Sequence, residues 1–81
     1  MFKARTADGR NNISGTMVKE LRKALQISQR ELSDRLQVVG LDIDKNAVQR
    51  IESGERFVTD IEIIALSKCF NVTVNNLLGI K

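Results

Sequence analysis

Hydrophobic positions along this chain fall into five clusters, and most have a start or stop signal beside them. From Ser14 to Gln26 an inner side recurs at helical spacing: Met17 or Val18, then Leu21, Ala24 and Leu25. Leu32, Leu36 and Val39 follow Ser28 and Glu31, the Ser-x-x-Glu spacing of a capping box, in which each side chain satisfies a free N–H of the other's turn. Gly40 then supplies a left-handed stop. Asp44 is a good N-cap for a third helix, whose buried side is Val48 and Ile51 and which Gly54 ends. Thr59 with Glu62 is a second capping box. The helix it starts, Asp60 to Phe70, is apolar nearly all round, which predicts that other elements surround it. Thr73 caps a last short helix containing Val74, Leu77 and Leu78, with Ile80 just beyond. The fold class this pattern predicts is all-α, with five short helices.

The polar positions matter most on the third helix, where Lys45, Asn46, Gln49 and Arg50 are left on or near the open face. Asn and Gln can pair bidentately with adenine, and Arg or Lys with guanine. A solvated helix face has the same composition, so these four residues alone leave both readings open. Met1 to Asn12 is polar, lacks periodicity and carries Gly9 and the Asn11-Asn12 pair, which predicts a flexible arm. Its Lys3, Arg5 and Arg10 suit either a phosphate track or minor groove, or a loose tail with incidental charge.

Two linked patterns tip the balance: Leu21-Arg22, four residues, then Ile27-Ser28-Gln29-x-Glu31-Leu32-Ser33; and Val48-x-Arg50-Ile51-Glu52-Ser53-Gly54-x-Arg56. Together they resemble the lambdoid-phage-repressor type of helix-turn-helix domain, the Cro/C1 or xenobiotic-response-element family, over roughly residues 14 to 80. In that family the generic turn is tight, whereas Leu36 to Glu52 here is about five residues longer than usual. Leu41 and Ile43, alternating with Asp42 and Asp44, are placed to tuck the extra loop into the core.

The resemblance implies a compact helix-turn-helix domain over residues 13–81 behind the arm of residues 1–12. It implies sequence-specific binding of double-stranded DNA by a transcriptional regulator, a repressor, with the helix from about Lys45 to Ser53 in the major groove. Lys45, Asn46, Gln49 and Arg50 would then touch bases. Gln29, at a helix N-terminus, with Arg30 and Arg56 would hold phosphates. Arg22 matches a family arginine that pairs with Glu52, a structural tie between the first and third helices. The expected assembly is a homodimer on an inverted repeat, bacterial or phage-encoded. The alternative is a protein-binding module, such as an antitoxin or adaptor, with DNA binding secondary.

Composition narrows the rest. A chain of 81 residues is one domain, and 42% hydrophobic content provides a core without staples. One cysteine and no histidine leave no disulfide and no conventional zinc site, so no metal or cofactor is expected. An enzyme is not expected either: a catalytic base is hard to find, and Cys69 has no activating neighbour in sequence. No apolar run approaches 20 residues and no signal-peptide core is present, so the expectation is a soluble, cytoplasmic protein without a membrane partner. Net charge is +3, but it divides as +4 over residues 1–28, −1 over 29–56 and 0 over 57–81. The helix pair is not basic overall, so any electrostatic footprint must come from the arm and from how individual side chains face.

Overall fold

The computed structural model describes residues 5–80. Its helices are α1 (Gly15–Ala24), α2 (Gln29–Val38), α3 (Lys45–Ser53), α4 (Asp60–Phe70) and α5 (Val74–Leu78). There is no strand among the described residues. Each start from α2 onward is set by a side-chain oxygen. Ser28 accepts from the Glu31 N–H, Asp44 from Ala47, Thr59 from Glu62 and Thr73 from Asn76. The box at Thr59 is complete, because the Glu62 carboxylate also accepts the Thr59 N–H at 2.9 Å. At Ser28 only the forward bond from Glu31 N–H forms, at 3.0 Å. A single cap of this kind contributes about 1 kcal/mol.

The first helix stops two residues earlier than its periodicity predicts. Gln26 adopts φ +57°, and the Gln26 and Ile27 N–H groups turn back to Lys23 and Arg22 carbonyls, a Schellman ending. Ala24 and Leu25 consequently leave the inner side and are exposed, while Val18 is buried and Met17 and Leu21 pack against the core. Leu32 and Leu36 are buried as expected, but Val39 lies on the exposed turn that ends α2. The long connection is anchored as its alternation implies: Ile43 is buried and Leu41 packs on the core.

The core runs through Val18, Leu32, Leu36, Val48, Ile51, Leu66 and Leu77, so every helix contributes to it. α3 is held against both α1 and α2, and α5 closes against α4 and reaches α1. Ser33 is buried beside this junction, its hydroxyl returned to the Arg30 carbonyl at 2.7 Å. The expectation that α4 is surrounded does not hold. Leu66 and Ala65 are buried, but Ile61 is 72% and Ile64 50% exposed. A domain of this size has too few elements to cover a helix on all sides, and periodicity reports apolarity rather than coverage. No helix among the described residues is long and apolar enough to cross a membrane. No group of metal-ligating side chains is found among them either.

Candidate nucleic-acid interface

α3 divides its residues cleanly between two faces. Val48 and Ile51 are 1% exposed and Glu52 is also buried, whereas Lys45, Asn46, Gln49 and Arg50 are all exposed. Among the described residues, the side chains of these four have no hydrogen-bond partner; the Arg50 carbonyl accepts from the Ser53 hydroxyl and from the Glu55 and Arg56 N–H groups where the helix ends. Two amides and two cations are therefore presented together from a helix whose other side is fixed. Near its start, Lys45 and Asp44 share a shallow cleft of about 260 Å³ with Arg30 and Asp34 of α2, two cations beside two carboxylates.

The far end of α3 is pinned by Glu52. Its carboxylate accepts a two-pronged contact from Arg22, Nε at 2.7 Å and Nη2 at 3.0 Å, and the third guanidinium nitrogen donates to the Ile27 carbonyl at 2.9 Å. Side-chain exposure is 12% for Arg22 and 4% for Glu52, so the tie is shielded from water. Hydrogen bonding to Glu52 raises the Arg22 pKa above its usual value, against the pull of burial, and keeps the guanidinium charged. Gln29 joins the same group, its amide nitrogen 3.1 Å from Glu52 Oε1.

That last contact engages one residue of the expected phosphate set within the protein. Gln29 is turned inward to Glu52, because a buried carboxylate with a free lone pair is a better acceptor than bulk water at a crowded junction. Arg56 is also engaged: its Nη1 lies 2.7 Å from Glu62 Oε2. Arg30 alone of the three is exposed with no side-chain partner among the described residues.

The expected arm holds the largest surprise. Residues 6–10 form a turn, in which the Arg10 carbonyl accepts the Thr6 N–H at 2.8 Å and Thr6 Oγ1 accepts the Arg10 N–H at 2.9 Å. Thr6 also donates to Asp8, which holds that exposed carboxyl below its usual range. Arg10, Asn11 and Asn12 then lie along the end of α3 and bind each backbone carbonyl from Ile51 to Arg56 in turn. Asn12 Nδ2 donates to Ile51 O (3.1 Å) and Arg56 O (2.7 Å). Arg10 reaches Glu52 O (2.9 Å) and Ser53 O (3.3 Å). Asn11 covers Gly54 O from its N–H (2.8 Å) and Glu55 O from its amide (2.9 Å). These residues are docked, where composition predicted a loose arm. Arg10 is engaged by the end of α3; Arg5 is exposed, and Lys3 lies outside the described residues.

Two glycines make room for this junction. A Cβ at Gly15 would stand 2.0 Å from the Ile51 carbonyl, and at Gly54, which has φ +87°, 2.8 Å from the Arg10 guanidinium carbon. The signal in sequence is the Asn11-Asn12 pair, which ends two residues before α1. Asn12 Oδ1 accepts the Gly15 N–H at 2.8 Å, the kind of local cap that a short amide side chain makes.

The helix-turn-helix family model matches residues 18–77, from the middle of α1 to the middle of α5. The chain belongs to the Cro/C1-type helix-turn-helix family. This helix-turn-helix domain is accordingly a DNA-binding regulator rather than an enzyme. Its fold is similar to that of the P22 c2 repressor protein, solved in complex with synthetic operator 9T. The TM-score is 0.69 at 24% identity, covering 83% of this chain and 94% of that one. It is also similar to the restriction-modification controller protein C.AhdI from Aeromonas hydrophila. There the TM-score is 0.68 at 26% identity, covering 79% of this chain and 86% of that one. No curated protein matches the helix-turn-helix domain in sequence.

Proposed function

We propose that this domain recognises a specific double-stranded DNA sequence and represses transcription from it, with α3 lying in the major groove. The observation that carries the proposal is the face formed by Lys45, Asn46, Gln49 and Arg50, exposed and unpartnered on a helix whose other side is buried. Amides there suit adenine edges and cations suit guanine edges or nearby phosphates. Arg30, at the start of α2, is the readiest phosphate ligand; Gln29 and Arg56 reach phosphate only by leaving or sharing Glu52 and Glu62. The repressor role is supported by the fold shared with a repressor solved on an operator.

One recognition helix reads few base pairs, so we take the active species to be a homodimer on an inverted repeat, its two α3 helices about 34 Å apart. The apolar side chains left exposed at Phe57, Ile61, Ile64 and Ile80 support a partner surface on the α4–α5 side.

Selection from random duplexes at stated salt tests this reading. A preferred sequence with two-fold symmetry is the expected result. A protein that enriches nothing, or that selects the same sequence with alanine at all four α3 positions, overturns it.

A further inference from the structure

We infer that Arg10, Asn11 and Asn12 form a strap that sets the orientation of α3, and that Arg10 and Asn12 are positioning residues for DNA recognition. The inference rests on the reading of α3 given above. The carbonyls at the end of a helix have no intrahelical donor and carry partial negative charge, so that end is held only by what caps it. Here the Arg10 guanidinium spans two successive carbonyls, Glu52 O and Ser53 O, with its positive charge at the negative end of the helix. Asn12 is 8% exposed and joins three elements, donating to Ile51 O and Arg56 O while accepting from Gly15 at the start of α1. The strap therefore fixes the end of α3 against the start of α1, while Arg22, near the end of α1, holds it separately through Glu52. With both ties in place α3 has one tilt; with one removed its last turn can pivot about the other. A tilt error displaces side chains at the far end of the reading face, so base discrimination suffers before folding does.

The Arg10 guanidinium also lies directly over Gly54, and Arg10 Nε is buried without a partner among the described residues. The side chain, partly buried as a whole, is thus half enclosed by the helix end instead of extended toward solvent. That enclosure separates a positioning role from a direct phosphate contact, and the two differ in salt dependence.

The test uses the full chain and the variants Arg10→Met, Arg10→Lys and Asn12→Ala, each kept well below its melting temperature. Affinity for the selected duplex and for a scrambled duplex is measured across a salt series. Amide exchange is followed at Gly54, Glu55 and Arg56. Arg10→Met should lose about tenfold or more in the ratio of specific to scrambled affinity, with the scrambled-duplex salt slope unchanged. Exchange at the end of α3 should quicken, and Arg10→Lys, which can still reach a carbonyl, should recover part of both losses. If Arg10→Met does not fold, Arg10→Lys against Asn12→Ala carries the same comparison. A slope flattened by about 0.9 with the ratio intact would make Arg10 a phosphate ligand and overturn the strap. Folded variants with wild-type ratio and wild-type exchange overturn it as well. A wild-type chain that selects no sequence overturns instead the α3 reading on which the positioning role depends.

Discussion

The Arg56 guanidinium lies 2.7 Å from Glu62, whose other oxygen accepts the Thr59 N–H at 2.9 Å, so one carboxylate closes the loop between α3 and α4 and caps α4. Glu62 is 6% exposed as a residue and depends on both donors. Arg56→Ala should therefore destabilise the fold by about 1–3 kcal/mol, the cost of leaving a buried acceptor short of a partner. Glu62→Gln keeps the cap geometry but frees the arginine. The salt slope of DNA binding should then steepen by about 0.9 if Arg56 turns to phosphate. Denaturant unfolding and a salt titration of both variants check this; a slope unmoved by Glu62→Gln removes Arg56 from the phosphate set.

Arg22 and Glu52 form the second closed tie, at 12% and 4% side-chain exposure. Removing either partner strands a shielded charge, so Arg22→Ala and Glu52→Ala should each cost about 3–5 kcal/mol. The double variant should cost clearly less than their sum, because the second change removes the charge that the first left alone. Additivity within about 0.5 kcal/mol in chemical denaturation would show no coupling. Gln29→Ala should be milder, since Arg22 still satisfies Glu52 with two donors.

How much of this could be read from residues follows from the range of each interaction. The caps at Ser28, Asp44, Thr59 and Thr73 are set by side chains reaching three residues along, and all are legible locally. Arg22 and Glu52 are 30 residues apart, and only the family pattern brought them together. The strap was hidden. Its acceptors are backbone carbonyls, which every residue has, and its contacts span 39 to 44 residues. Ile61 and Ile64 failed for a different reason: helical periodicity marks them as apolar but says nothing about whether a neighbour exists to cover them.

Cys69 is partly buried on α4, and that burial holds its thiol above the usual range, against a weaker opposing pull from Arg35. A raised folded pKa means the native state keeps its proton longer than the unfolded chain. The associated stability is present below the unfolded thiol value, near 8.5, and is lost as pH rises through the folded one. Stability of the wild-type chain should therefore fall more steeply above about pH 8.5 than that of Cys69→Ala. At neutral pH, alkylation of Cys69 should be slower than that of a free peptide thiol. Equal alkaline slopes in the two proteins would contradict this.

The exposed apolar side chains on the α4–α5 side make a prediction about assembly. Phe57 is 59%, Ile61 72% and Ile80 53% exposed, and Leu78 and Phe57 both line a groove of about 410 Å³. If a second copy covers this side, Ile80→Asp or Phe57→Asp should shift a dimer to monomer without unfolding it, because neither residue is buried in the protomer. Binding to the two-fold site should then lose its cooperativity while a half-site binds as before. Sedimentation at micromolar concentration decides it: a wild-type chain that is strictly monomeric and binds DNA one to one has no such seam.

Reading and gripping should separate on the α3 face itself. Asn46 and Gln49 end in amides, so their hydrogen bonds would be spent on base edges and would release no counterions. Alanine at either should cost about 1–3 kcal/mol on the selected duplex, relax preference at particular base pairs and leave the salt slope alone. Arg30→Ala should behave in the opposite way. As an exposed cation without a side-chain partner among the described residues, it should weaken selected and scrambled duplexes by similar factors and flatten the slope by about 0.9. Lys45 and Arg50 can do either, and the slope tells which. The weak net charge of residues 29–56, −1, limits how much affinity phosphate contacts from the motif can supply, so losses at Asn46 and Gln49 should be a large share of the total. Selections repeated with each alanine variant give the outcome position by position. If Asn46→Ala and Gln49→Ala change affinity for every duplex equally, these amides read no bases, and the polar face of α3 is a solvated surface.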